Sequence, residues 1–277
     1  MSEGNEEANT KVTDFSETVI VDKNFSGKNL VGAVFNGCTL RNVIFDNAIL
    51  DEAHFQNATI ESCRFGRTSL KMANFVSAQI ISSYFSVCDL RGGNFTSAKM
   101  NKSFMRSSDL SDSILRDASV NDCFFVGSKM LKASFEAAIG RRNMFCFANM
   151  KNVNFRNARM NYSNFSGARL AGAKMNWATL RHSFMRDTIM TGSILAFANI
   201  SNSALDGANL SRAQLKGANL SNARLKKTNF SGANLTGAVL IGASLEGANF
   251  EGAVLEDVVF SATRGDPEEP QMVPKIV

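Results

Sequence analysis

The chain has 277 residues, 44% of them apolar and 20% charged, with a formal net charge of +5. That is chain enough for one or two ordinary domains, and the apolar content excludes disorder over most of it. No apolar run approaches the roughly 20 residues that span a bilayer, two histidines and one tryptophan leave little material for an enzyme site, and 22 phenylalanines against two tyrosines is an unusual ratio.

Residues 1–12 form a polar N-terminal segment. Its glutamates, Glu3, Glu6 and Glu7, stand where an export signal would be basic, so the expected location is cytoplasmic. From Phe15 to Phe260 a strict period of five takes over. Of the 50 residues at this spacing, 17 are Phe, 19 Leu, 8 Met, 4 Ile and 1 Val, and the exception is Gly140. Two residues before each of these centres the side chain is small in 47 of 50 cases, the misses being Lys23, Lys28 and Asn143. No insertion or deletion interrupts the period over 246 residues.

A period of five fits neither helix nor flat strand. Five residues turn an α-helix by about 500°, which would smear the apolar positions around it, and a strand would send them to opposite faces. A chain that bends once per pentad and closes a square every 20 residues points both apolar positions inward. Successive coils then stack about 4.8 Å apart, giving about 12 coils and a rod of roughly 60 Å. No coil buries its own interior, so stability comes from stacking on neighbours.

The repeats resemble the pentapeptide-repeat family, whose consensus is Ala-Asp/Asn-Leu followed by two variable residues. Ala208-Asn209-Leu210, Ala218-Asn219-Leu220, Ala233-Asn234-Leu235 and Ala248-Asn249-Phe250 carry the resemblance, and the repeat spans residues 13–262. It implies an all-β fold, a right-handed quadrilateral parallel β-helix with four pentapeptides per coil; the handedness comes from the resemblance alone.

Wrapped at 20 residues per coil, the centres fall into four ladders. One reads Phe25, Phe45, Phe65, Phe85, Met105, Phe125, and the opposite one Phe15, Phe35, Phe55, Phe75, Phe95, Leu115. Aliphatic ladders, Leu30-Leu50-Leu70 and Ile20-Leu40-Ile60, lie between them, and beyond about residue 170 leucine and methionine dominate all four. Gly140 removes one interior side chain. The preferred reading is a local bulge in which Ile139 turns inward; the alternative is a kink presenting Arg141 and Arg142. The tail, 263–277, carries Pro267, Glu268, Glu269 and Pro270, then Met272, Val273, Ile276 and Val277. It either folds back over the open coil end or stays free, and a bare end is also a surface for homodimer formation.

Cys38, Cys63, Cys88 and Cys123 occupy small inward positions. Only Cys63 and Cys123 share a side, three coils or about 14 Å apart, too far for a disulfide. No metal-ligand spacing appears, and no cofactor is implied. The Asn-Phe-Ser type tripeptides are by-products of the repeat, and Arg264-Gly265-Asp266 is a chance tripeptide. His54 and His182 lie far apart along the rod, and no nucleophile–base pair, phosphate loop or carboxylate dyad stands out, so the protein is read as no enzyme.

The informative outliers are apolar residues in outward positions. Five Phe lie off the ladders: Phe104, Phe124, Phe147, Phe184 and Phe197. At 20-residue spacing one column reads Ile44, Arg64, Tyr84, Phe104, Phe124, Met144, Asn164, Phe184, and Trp177 and Phe197 form a shorter pair. Either the column tucks into a corner and stiffens the ladder, or it is an exposed partner surface at Tyr84, Phe104, Phe124, Met144 and Phe184. Charge is uneven too: residues 66–186 carry 18 basic and 6 acidic groups. Lys99, Lys102, Arg116, Arg141, Arg142, Arg156, Arg159 and Arg181 gather near one side and its edge.

The leading expectation is a non-catalytic interaction scaffold binding a protein partner through the apolar stripe beside the basic face. The alternative is attraction of the basic middle to a polyanion: an acidic protein, an anionic membrane surface or nucleic acid. Some members of the resembled family imitate duplex DNA and modulate DNA gyrase; that mode needs an acidic surface and is disfavoured here by the sign of the charge.

Overall fold

The structure is a computed structural model that describes residues 13–260. The polar segment 1–12, Arg264-Gly265-Asp266 and the tail residues expected to cap the rod lie outside the described residues.

Each pentad makes one side and one corner. The second corner residue has positive φ whatever its type, 54° at Asp22, 59° at Asn47 and 62° at Trp177, a left-handed conformation that reverses the chain direction locally. At three corners of nearly every coil the following small residue closes a turn, its N–H donating to the preceding centre's carbonyl, as from Thr18 to Phe15 (3.3 Å) and Ala33 to Leu30 (3.0 Å); Cys88, whose N–H reaches Ser108 Oγ (3.0 Å), is an exception.

Eight three-residue strands recur every 20 residues and pair in parallel, in chain order, from β1 (Val19–Val21) through β7 (Ile139–Arg141) to β8 (Arg159–Asn161). The other three sides carry single parallel bridges at the same step, from Asp14↔Val34 onward. The chain is therefore an all-β parallel solenoid. The expectation of about 12 coils needs correcting for continuous strand, which makes only about seven turns. Beyond β8 the strand side continues as isolated bridges, Arg159↔Thr179 to Val239↔Val259. The fourth corner stays open past the end of β8, Ser183 N–H still donating to Ser203 Oγ (3.0 Å), and closes into a turn only at Ala223 (N–H to Leu220 carbonyl, 3.0 Å).

Stacking at one step puts like upon like. Phe15, Phe35, Phe55, Phe75 and Phe95 form parallel, offset stacks at centroid spacings of 4.9, 4.8, 4.8 and 4.7 Å. The two Phe ladders meet edge to face across the interior, as at Phe35–Phe45 (5.7 Å, 88°). Both arrangements suit the ring quadrupole, each worth about 1 kcal/mol beyond the area buried. From Leu30 to Leu240 nearly every centre is buried; the end centres Phe15, Ile20, Phe25, Phe250 and Phe260 are only partly so.

The fourth corner, after the strand side, lacks the turn hydrogen bond through most of the rod, and its inward N–H would be orphaned. The next coil supplies the acceptor. The N–H of Cys63 donates to Ser83 Oγ (3.1 Å), Ser83 to Ser103 Oγ (3.3 Å), Cys123 to Asn143 Oδ1 (3.0 Å), Asn143 to Ser163 Oγ (3.2 Å), and Ser183 to Ser203 Oγ (3.0 Å). Ser203 is followed one coil on by Ala223, which offers no side-chain acceptor and whose own N–H closes a turn on the Leu220 carbonyl (3.0 Å), so the ladder ends there. A column that the repeat describes only as small is thus a buried polar ladder with a defined task.

Gly140 belongs to this ladder, and neither reading of it from sequence holds. β7 keeps its register, Gly140 pairing with Val120 and Met160, so there is no bulge or kink. Ile139 points outward, 50% exposed. The gap is filled by Asn143, wholly buried, whose Nδ2 donates to the Val120 carbonyl (2.7 Å). A methyl group on Gly140 would overlap that same carbonyl. The two departures from the repeat, a missing large residue and an oversized small one, compensate each other.

Two outcomes follow. Ser183→Ala deletes one oxygen from a well-packed site and leaves the Ser163 N–H (3.3 Å to Oγ) unpaired; the expected loss is about 1–3 kcal/mol in denaturant unfolding, against a near-zero change if the ladder is incidental. Gly140→Leu and Asn143→Ser should each destabilise, and the double variant should lose less than the sum, a coupling of about 1 kcal/mol or more. Additive losses would mean the two positions are independent.

Candidate surface: an apolar column beside a basic side

One continuous column lies on the side of the Phe25 ladder. Bridges link Ile44, Arg64, Tyr84, Phe104, Phe124, Met144, Asn164, Phe184 and Ala204 in order. Tyr84 stacks on Phe104 (4.8 Å, 5°) and Phe104 on Phe124 (4.7 Å, 7°). Tyr84 and Phe184 are exposed, at 47% and 51%; Phe104, Phe124 and Met144, covered by their neighbours in the column, are half-buried. Asn164 separates Phe184 from the run. Beside Tyr84 an open groove of about 340 Å³ is lined by Asp46, Arg64, Arg67, Ser86 and Val87, and Arg64 is tied to Asp46 at 2.6 Å.

The eight basic residues lie on the strand side and its two corners. Lys99 and Arg159 are on strands, Arg116 and Arg156 at the preceding corner, and Lys102, Arg141, Arg142 and Arg181 at the strand end and the following corner. That second corner is shared with the apolar column, only one residue separating Lys102 from Phe104 and Arg142 from Met144. Arg116 pairs with Glu136 (3.2 Å) and Arg142 with Asp122. Nε and Nη2 of Arg142 donate to the two Asp122 carboxylate oxygens at 2.6 and 2.9 Å, and this holds the Asp122 carboxyl below its ordinary range, with Arg141 and Lys102 adding to the effect. Lys99, Lys102, Arg141, Arg159 and Arg181 make no ion pair among the described residues.

Two further features sit at the second corner residues. Trp177 stacks on Phe197 (4.3 Å, 15°) and Tyr162 on His182 (5.0 Å, 5°). Trp177, Tyr162, Phe197 and Phe147 are exposed, at φ of 62°, 60°, 59° and 58°. Bulky side chains in this conformation cost about 1–2 kcal/mol each and bury little. Sequence inspection of the centres alone passes over the Tyr162–His182 pair; the column Lys102, Asp122, Arg142, Tyr162, His182, taken by itself, reveals it.

The five cysteines are free and buried. Burial pushes the thiols up, to about 11 at Cys63 and about 12 at Cys88 and Cys123, so they are un-ionised and poor nucleophiles near neutral pH. Among the described residues no cluster of His, Cys, Asp and Glu is placed to hold a metal ion, and no helix is long and apolar enough to cross a membrane.

No curated protein sequence matches the chain. Among solved structures, a trypsin-treated variant of QnrB1, a plasmid-mediated fluoroquinolone resistance protein, is 18% identical with a TM-score of 0.57, covering 64% of this chain and 90% of that one. A second trypsin-treated QnrB1 variant, also 18% identical, has a TM-score of 0.54 over 64% of this chain and 88% of that one. These likenesses show the fold. HetL, a pentapeptide repeat protein involved in heterocyst differentiation regulation from the cyanobacterium Nostoc sp., is 21% identical over 90% of this chain and 88% of that one, with a TM-score of 0.27. Two family patterns, both described as pentapeptide repeats, match residues 23–69, 73–127, 148–187 and 193–264. With most of its length so matched and its solenoid built on the same period, the chain belongs to the pentapeptide-repeat family.

Proposed function

We propose that the protein is a non-catalytic, rigid interaction scaffold of the cytoplasm that binds a protein partner through the column from Tyr84 to Met144, with Phe184 as an outlying contact. The observation that carries this reading is the unbroken outward run Tyr84, Phe104, Phe124, Met144 on four successive coils, edged by Lys102 and Arg141. Aromatic strips rimmed by unpaired cations have the composition of partner surfaces. The rod holds the strip in place before binding, so little ordering cost accompanies association. Five buried free thiols suit a reducing compartment.

The DNA-imitating mode of some family members is not adopted. It requires an acidic surface, and residues 66–186 carry 18 basic groups against 6 acidic.

The test is Phe104→Asp combined with Phe124→Asp, in pull-downs from source extract at low and high salt. A protein retained by wild type at high salt should be lost by the variant. The variant itself should unfold cooperatively, each substitution lowering stability by about 1 kcal/mol through loss of ring stacking. Unchanged capture would remove the column from partner binding, and collapse of the fold would make it structural.

A further inference from the structure

A second surface, adjoining the apolar column at one corner but facing another side of the rod, has its own chemistry. Between Glu136 and Asp187 the chain contains no acidic residue and nine basic ones: Arg141, Arg142, Lys151, Arg156, Arg159, Arg169, Lys174, Arg181 and Arg186. This stretch winds two and a half times around the rod, so the absence of acid applies to a whole belt. Two of the nine reach acids outside it, Arg142 to Asp122 and Arg186 to Asp206 (3.3 Å). Of the remainder, Arg141, Arg156, Arg159 and Arg181 share the strand side and its corners, and Arg156 is held by the Asn176 side chain (3.3 Å).

The two stacked aromatic pairs flank these four cations. Trp177 and Phe197 stand at the corner before the strand side, Tyr162 and His182 at the corner after it. The Trp177–Phe197 stack is seated on Gly217 (φ 63°), where a larger residue would strike the Phe197 ring. Beyond Trp177, one coil back, the corner carries only Asn157. Trp177, Phe197 and Tyr162 occupy backbone positions that disfavour them and remain exposed, with His182 half-buried beneath Tyr162; packing does not account for the three bulky rings.

We infer that this side binds single-stranded nucleic acid, its phosphates on Arg141, Arg156, Arg159 and Arg181 and its bases against the aromatic corners. Cations beside exposed π-faces are the recurring equipment for that ligand. A duplex offers phosphates but keeps its bases stacked inside, so the aromatic corners would be idle. An acidic protein is the weaker fit: its carboxylates could face the cations, but it brings no bases to stack against the aromatic corners.

Trp177 is the only tryptophan, so its emission reports stacking directly. The full-length protein would be titrated with oligo(dT) of about 20 nucleotides, the matching duplex, inorganic polyphosphate and poly-glutamate, at salt from about 50 to about 200 mM. Oligo(dT) should bind most tightly and quench Trp177, with a log–log salt slope of about −3 for four phosphate contacts. Polyphosphate should bind without quenching. Labelled oligo(dT), read by anisotropy, should bind at least about 10-fold more weakly to the Arg159→Glu/Arg181→Glu variant. Tyr162→Leu should weaken oligo(dT) and leave polyphosphate unchanged, with the melting temperatures of both variants confirming the fold. Poly-glutamate or duplex bound as tightly as oligo(dT), oligo(dT) binding with unchanged Trp177 emission, or an affinity indifferent to the charge reversal would overturn the proposal. None of these results depends on the apolar column.

Discussion

Backbone hydrogen bonding between coils, always at a step of 20 residues, is the constraint on which everything else rests. Asp14 bridges Val34 near one end and Val239 bridges Val259 near the other, with no change of step between. Every residue therefore sits above its counterpart 20 positions earlier, and each side chain must be compatible with its own column. Phenylalanine stacks on phenylalanine because nothing else is available in that direction. The same rule governs the outside, where an aromatic or a cation recurring at this step becomes a strip.

The interior is apolar apart from small hydroxyl and amide side chains, which recur most regularly at the fourth corner. Three corners satisfy their inward N–H through a turn almost throughout, and the fourth borrows an acceptor from the next coil along most of the rod. A buried donor left unpaired costs more than a single added hydrogen bond contributes, which explains why hydroxyl and amide side chains persist there among alanines. Asn143 extends the logic: it accepts from the Cys123 N–H (3.0 Å), donates to the Val120 carbonyl and occupies the volume that Gly140 leaves. The irregularity is confined to one coil, and the ladders above and below continue in register.

The architecture was legible because the pentad is strict. A centre every five residues and a small residue two before it define which atoms point inward, and the residues of the apolar column and the basic side followed from counting by 20. The compensation at Gly140 was not legible, because a period assigns Gly140 and Asn143 to separate classes and says nothing of their contact across the corner. The length of continuous strand was hidden too: β8 ends at Asn161, while the pentad pattern continues unchanged to Phe260. Tyr162 and His182 were overlooked for a simpler reason: the second corner residue is the most variable position of the pentad, and its side chains matter only as neighbours along the rod.

The two outward surfaces meet at one corner, where Lys102 and Arg142 adjoin Phe104 and Met144, yet they face different sides of the rod. Both are only as well ordered as the coil register beneath them. The most direct test of that register is to compare two deletions: residues 64–83, one complete coil, and residues 64–68, a single pentad. If the coil is the unit, the 20-residue deletion keeps every ladder aligned and unfolds cooperatively near the wild-type temperature. The five-residue deletion, though it removes less chain and preserves the pentad pattern, rotates all later sides by one and should be far less stable. A five-residue deletion as stable as the 20-residue one would contradict the dependence of this fold on the coil-to-coil step.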